Sequence, residues 1–353
     1  MKAADAAAAA VPMTTAIYPW HDAAWQQLHA LRARLPHAIL FHGNAGIGKT
    51  AFAEAFAQSL LCETPLADGR ACGTCLSCGW FVQYSHPDYR RVRPEMLDDA
   101  GSDDEDAEPK KTAKASKTPS KEIRIEQIRA LSDFMNLSTH RNGNRVVLLY
   151  PAEALNTPSA NALLKTLEEP PPHTVFLLVS NGIDRLLPTI LSRCRQFALP
   201  MPSTDVALAW LAAQQVKDAD AWLAEQGGAP LSALDHAQRN SRELQDELLS
   251  MLAQPSIEGA LKSAEKLQKT AAADLVLWLQ RWLHDICSFK LSGKLRYYPR
   301  YRKELAALAG RVAIADLLGA IKQLGERRAI ADHPLSAKLF IEDMLLDYST
   351  LFS

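Results

Sequence analysis

Short unbroken apolar runs punctuate the N-terminal part of the chain: HAILFH from His37, RVVLLY from Arg145 and HTVFLLVS from His173. Runs this short, rich in Val, Ile and Leu and lacking polar alternation, predict strands of a parallel sheet buried on both faces. RQFAL, from Arg195, adds another strand. Between the runs, apolar residues recur at helical spacing: Phe52, Phe56 and Leu60; Ile125, Ile128 and Leu131; Ala160, Leu163, Leu164 and Leu167. Alternating strands and helices predict an α/β domain with helices covering both faces of its sheet.

From about Ser203 onward the pattern changes. DVALAWLAAQQV, ELQDELLSMLA, AADLVLWLQRWLHDICSF, ADLLGAIKQLGERRAI and AKLFIEDMLLDY all read as amphipathic or buried helices, with QGGAP at 226–230 as a break. A small helical unit followed by a helical bundle is expected. One segment fits neither pattern. Residues 98–121 run acidic and then basic without a large apolar side chain, the composition of a disordered loop.

The 353 residues, 48% of them apolar, suffice for two or three domains with cores of their own. Lysine and arginine total 39 against 40 acids, so the whole chain has no net field to attract nucleic acid or an anionic membrane. Any such contact must be local. The opening MKAADAAAAAVPM is interrupted by Asp5 and Pro12 and is a poor signal peptide, so a frayed terminus is expected. No apolar run approaches the roughly 20 residues of a membrane helix. A cytoplasmic location is the expectation.

HGNAGIGKT, residues 42–50, has the pattern of a phosphate-binding loop placed between a strand and a helix. Gly43, Gly46 and Gly48 would let the backbone N–H groups turn toward phosphate, with Asn44, Ala45 and Ile47 completing the loop. Lys49 would reach the outer phosphates and Thr50 would hold magnesium. Hydrolysis also needs a carboxylate on the metal and usually one to orient water, both at the end of a buried strand. After RVVLL stand Tyr150 and Pro151, which can do neither. Glu153 is nearby, but an extended chain carries it about 6 to 7 Å too far. It is either a solvated loop carboxylate or a substitute for the missing acid.

Cys62, Cys72, Cys75 and Cys78 have the spacing Cys-x9-Cys-x2-Cys-x2-Cys. Four thiolates suit tetrahedral zinc, with Gly69, Gly73 and Gly79 supplying turns. An iron–sulfur cluster is the alternative, although the ferredoxin order with a terminal Cys-Pro is missing. Four protein ligands leave no open position, so such a zinc would be structural. Arg193, in SRC, falls where a guanidinium could project from a domain edge. It is either a surface ion-pair arginine or a finger offered to a neighbour's phosphate.

Taken together, YPWH, LPHAILFHGNAGIGKT, the four cysteines followed by HPDY, SANALLKTLEEPPPHTVFLLVSN, LLPTILSRCRQF and HPLSAKLFIEDMLL resemble one family. It is the delta-prime subunits of bacterial DNA polymerase III clamp loaders, in the AAA+ superfamily. The resemblance implies an α/β AAA+ domain over residues 1–202, with a RecA-like parallel sheet and a zinc module at 62–78. It further implies an all-α lid at 203–242 and an all-α collar at 243–353. Arg193 matches the family's trans-acting arginine finger. Ser180 and Asn181 match the polar sensor at a strand end, and Leu231 occupies the place of the lid arginine of active relatives.

Metal ligand, water-orienting acid and lid arginine would then be missing together, which implies a subunit that does not hydrolyse ATP. Its intact loop leaves binding of ATP or ADP open. The implied partners are the gamma/tau ATPase subunits and delta, with sliding clamp and primer-template DNA met through the assembled complex. The implied larger machine is the DNA polymerase III holoenzyme, a nucleotidyltransferase. A self-sufficient AAA+ ATPase acting on DNA, with Glu153 rescuing catalysis, is the competing reading. A zinc-bearing nucleic-acid-binding module without ring partners is a third, weakened by the charge balance.

Three finer expectations follow. Thr157 should cap the helix containing SANALLKTLEEP, with Pro158 in its first turn. Glu168 and Glu169 then sit at its negative end, which is unfavourable unless a cation is near. For DNA, Lys121 and Arg124 at the start of KEIRIEQIR are candidates by analogy with the family. KLSGKLRYYPRYRK, residues 290–303, with six cations and three tyrosines, is either a stacking surface or a loop between helices.

Overall fold

The computed structural model describes residues 17–97, 119–136, 139–140, 143–239, 242–331 and 336–352. All but the last few residues of the 98–121 segment lie outside them. The chain divides into two compact units, residues 1–201 and 202–353.

The first unit is built on a five-stranded parallel sheet: β1 (Ala38–His42), β2 (Tyr89–Val92), β3 (Arg145–Leu149), β4 (Thr174–Ser180) and β5 (Arg195–Ala198), in the order β2-β3-β4-β1-β5. Its helices are α1 (Asp22–Ala30), α2 (Lys49–Leu61), α3 (Leu76–Val82), α4 (Ile125–Asn136), α5 (Thr157–Glu168) and α6 (Pro188–Leu191). Side chains alternate across the sheet with the two-residue period of a strand. Ile39, Phe41, Val146, Leu148, Val175, Leu177 and Val179 join one core with α1 and α2. Ala38, Leu40, Val147, Leu149, Phe176 and Leu178 join another with α4, α5 and α6. All three central strands are thus buried on both faces, which is why they read as unbroken apolar runs.

Edge strand β2 escaped the sequence pattern. Arg90 is exposed and Arg91 half-buried, leaving only Tyr89 and Val92 as its inward anchors. The cap of α5 is Asn156, whose side chain accepts from the Ser159 N–H, while Thr157 is the first helical residue. Thr157 is therefore not the cap: the extended backbone required at that position falls one residue earlier.

The second unit is helical: α7 (Thr204–Ala213), α8 (Ala219–Glu225), α9 (Pro230–Arg239), α10 (Arg242–Ala253), α11 (Ile257–Leu267), α12 (Ala272–Ser292), α13 (Arg302–Arg311), α14 (Ile314–Ile330) and α15 (Ala337–Thr350). Ala207, Leu211, Trp222, Leu223 and Ala233 form a small core among α7, α8 and α9. A larger core gathers α10 to α15 around Trp282, whose indole donates to the Tyr348 hydroxyl at 2.9 Å. Gly227 and Gly228 separate α8 from α9 in the left-handed conformation, as the QGGAP break requires. No helix among the described residues is long and apolar enough to cross a membrane.

Candidate phosphate loop, cysteine cluster and edge arginine

Because every strand runs the same way, the segments leaving β1, β3 and β4 converge on one edge of the sheet, the usual place for a ligand in such folds. The phosphate-loop pattern leaves β1 there. Gly43, Gly46 and Gly48 have φ of 150°, 73° and 88°. At Gly43 a Cβ would lie 2.4 Å from the Leu199 carbonyl oxygen, so only glycine fits. The Trp20 indole N–H donates to the Ile47 carbonyl at 2.9 Å and pins the loop from outside. His21 packs fully buried beneath it, 5.1 Å from the Phe52 ring, and neither ring nitrogen has a hydrogen-bond partner among the described residues. Burial, the Lys49 charge second, lowers its pKa to about 4 against the pull of Asp22.

Lys49 is 4% exposed. Its Nζ donates to the Asn44 carbonyl at 2.5 Å and to Asn181 Oδ1 at 2.7 Å. Burial lowers its pKa to about 8, opposed by the Glu153 carboxylate. Asn181 follows β4, which lies between β1 and β3, so it reaches both neighbouring loops. Its backbone N–H donates to Glu153 Oε1 at 3.0 Å, while Glu153 Oε2 is buried without a hydrogen-bond partner among the described residues.

Glu153 is therefore not a solvated loop carboxylate. Residues 152–154 form a turn of 3-10 helix instead of continuing extended, and the tighter rise brings the carboxylate back toward the sheet edge. At the end of β3 itself stand half-buried Tyr150, 3.4 Å from an Arg93 guanidinium nitrogen, and Pro151. Half-buried Thr50 lies in the first turn of α2, and exposed Asn44 and Ala45 at the loop tip. The arrangement offers an anion backbone N–H groups, a helix start and a buried ammonium.

The four cysteines converge at the end of α2 and start of α3. Their sulfurs lie within 4.8 Å of one another, with Cys62 to Cys75 and Cys72 to Cys78 both at 3.9 Å. Tetrahedral zinc with bonds of about 2.3 Å requires sulfurs about 3.8 Å apart, so the set fits. Backbone N–H groups of Cys72, Thr74, Cys75 and Cys78 point at the sulfurs of Cys62, Cys72, Cys72 and Cys75, the kind of donor that favours thiolate. Gly69 and Gly73 supply left-handed turns. Gly79 does not: it lies inside α3, where no turn is needed.

Arg193 lies before β5, at the opposite edge of the sheet from the phosphate loop, since Arg195 pairs with Ile39 near the start of β1. Its side chain is 33% exposed. One guanidinium nitrogen donates to Glu168 Oε1 at 2.5 Å, and the other to the Thr189 carbonyl at 2.9 Å and Ser192 Oγ at 3.3 Å. Glu168, the last residue of α5, thus has the cation that its place at the negative helix end calls for. Leu231 is half-buried in the first turn of α9. Ser180 is fully buried at the end of β4.

Of the proposed DNA contacts, Arg124 is tied to Glu95 at 3.0 Å and Lys121 lies in the bend before α4. The tyrosines of 290–303 point inward. Tyr298 is 1% exposed, and its backbone N–H joins those of Arg296 and Tyr297 in donating to the buried Asp285 carboxylate. Tyr301 packs edge-on against Trp282 at 5.5 Å. The segment is the end of α12, the connection over residues 293–301 and the start of α13, not a stacking platform.

A phosphate-loop α/β domain followed by helices is the class that fold and site define. Within that class, the family model described as DNA polymerase III, delta subunit matches residues 20–203, and its C-terminal counterpart matches residues 240–350. The DNA polymerase III subunit delta' of Pseudomonas aeruginosa is 37% identical over 323 residues, 88% of this chain and 85% of that protein. That of Yersinia pestis is 31% identical over 350 residues, 95% and 96% of the two chains. The tau subunit of Salmonella typhimurium shares 37% identity over 166 residues, 47% of this chain and 22% of its own length. A gamma subunit-related protein of Thermotoga maritima aligns in structure with a TM-score of 0.43 and 16% identity, covering 93% of this chain and all of that one. The chain belongs to the delta' subunits of the DNA polymerase III clamp loader, a family related to tau and gamma.

Proposed function

We propose that this delta' chain is a scaffold and activator that hydrolyses no ATP of its own and completes the ATP site of a neighbouring subunit with Arg193. The observation that carries the reading is the separation of the two cations across the sheet. Arg193 and Lys49 flank opposite ends of β1, whose five residues span about 16 Å at 3.3 Å per residue. An arginine side chain cannot bridge that gap, so its guanidinium serves another chain's phosphate or none. A finger supplied in trans is worth about 10³ to 10⁵ in rate.

In this reading Gly43, Asn44, Ala45, Gly46, Ile47, Gly48, Lys49 and Thr50 bind ATP or ADP without turnover, because Tyr150 and Pro151 offer no carboxylate. Cys62, Cys72, Cys75 and Cys78 hold a structural zinc. Residues 203–242 act as lid and 243–353 as collar, joining gamma/tau and delta in the ring that places the sliding clamp on primer-template DNA in the cytoplasm. The test is Arg193→Ala in a reconstituted loader. Stimulated ATPase should collapse with assembly intact, and an unchanged rate would sink the reading.

A second reading, an ATPase in its own right, has one observation in its favour: Glu153 reaches Asn181 and acts on Lys49. It requires the isolated chain to turn over ATP and to lose that activity on Lys49→Ala. Nucleotide binding by the isolated chain, measured with and without magnesium, separates the two.

A further inference from the structure

At the strand-start edge of the sheet, Arg193 is held by acceptors from two elements. Glu168 closes α5, while the Thr189 carbonyl and the Ser192 hydroxyl belong to the α6 turn. A guanidinium carries five N–H donors in a rigid plane, so bonds on one side leave others free to meet a second anion. The described residues supply no acceptor to its Nε. We propose that Glu168 is the positioning residue for Arg193, holding the guanidinium in the orientation in which it is offered to a neighbouring subunit's nucleotide. This rests on the reading of Arg193 as a finger acting in trans.

Three observations support the assignment. Glu168 and Arg193 are 25 positions apart in sequence yet meet at one edge, because α5 runs back to the strand starts and α6 returns the chain there before β5. The pair is open to solvent, with side chains 49% and 33% exposed, so it adds little to stability and a structural purpose is a weak reason for it. Arginine also has considerable rotamer freedom, and a finger already fixed in one rotamer loses less on reaching the phosphate. The carboxylate need not leave when phosphate arrives, since the two anions use different hydrogens.

The test is a reconstituted loader in which only the site facing Arg193 retains a competent phosphate loop. Glu168→Ala should lower its maximal ATPase rate about tenfold, with the KM for ATP changing less than about twofold. Glu168→Gln keeps an acceptor oxygen and should restore the rate to within about threefold of the unaltered protein. In an Arg193→Ala background, Glu168→Ala should add no further loss, whereas a merely structural role would lower the rate there as well. A rate for Glu168→Ala equal to or above the unaltered protein, or a full additional loss in the double variant, overturns the proposal. If Arg193→Ala loses activity and Glu168→Ala does not, only the positioning role falls. If Arg193→Ala changes nothing, the finger reading falls and this proposal falls with it.

Discussion

Lys49 and Arg193 are both cations suited to phosphate, yet the fold treats them in opposite ways. Lys49 is buried at the strand-end edge, donates to the Asn44 carbonyl and Asn181 Oδ1, and burial has lowered its pKa to about 8. Arg193 stands at the strand-start edge, a third exposed, held by a carboxylate on one nitrogen and by oxygens of the α6 turn on the other. A lysine 4% exposed with two of its three N–H groups engaged has a single donor left for an anion. An arginine pinned along one side and open to solvent can add a second anion without giving up the first. The difference teaches that an intact loop motif and a ready phosphate ligand are separate properties.

The comparison can be broken most directly at Arg193. With only the facing site competent, Arg193→Ala should reduce turnover about 10³-fold or more. A loss below tenfold would make Arg193 an ordinary edge residue. The cysteine cluster offers the next largest effect, on stability. On the zinc reading, removing the metal, or replacing buried Cys78 with serine, should lower stability by about 4 kcal/mol at free zinc a thousandfold above Kd. Metal analysis with thermal unfolding checks it, and a metal-free protein of unchanged midpoint refutes it.

Between the two cations in size comes His21, whose burial beneath the loop costs stability in acid. Its folded pKa of about 4 lies below the ordinary 6.5, so its contribution is complete above pH 6.5 and is lost as pH falls toward 4. At pH 5 the loss is about 2 kcal/mol, and His21→Phe should remove it, seen as a flatter profile of denaturant midpoint against pH. The smallest effect is the one Lys49 has on ligand affinity. Its folded pKa of about 8 lies below 10.5, so its contribution to stability is complete above pH 10.5 and lost as pH falls through 8. Anion binding favours the charged form and should run the other way: affinity for ADP, measured by calorimetry, should fall about tenfold from pH 7 to pH 9. A flat profile would mean that Lys49 takes no part in binding.

The cysteine set and the phosphate site differed in how far they could be read from sequence. The cysteines lie within residues 62–78, and short loops with Gly69 and Gly73 bring them together, so spacing alone pointed to the cluster. Gly79 shows the limit of that reading, since the same residue type can simply sit in a helix. The phosphate loop was also legible, being a local turn between a strand and a helix. Its partners were legible only as candidates, Asn181 through the family resemblance and Glu153 as a nearby carboxylate, and their contacts were not. Asn181 is 132 positions from Lys49, and Glu153 reaches the site only because a 3-10 turn replaces the extended chain that simple counting assumes. The inward tyrosines of 290–303 depended on Asp285, a buried acid in an otherwise unremarkable helical pattern.

By itself, the order of residues determined the alternation of strands and helices, the two-sided burial of β1, β3 and β4, the helical second unit, the loop glycines and the thiol set. Each of these depends on periodicity or on neighbours a few positions away. Tertiary structure alone decided that Lys49 donates to Asn44 and Asn181, that Glu153 stands behind Asn181, and that Arg193 lies across the sheet from the loop in the grip of Glu168. Those facts depend on strand order and on which edge each connection returns to, and no local pattern carries either.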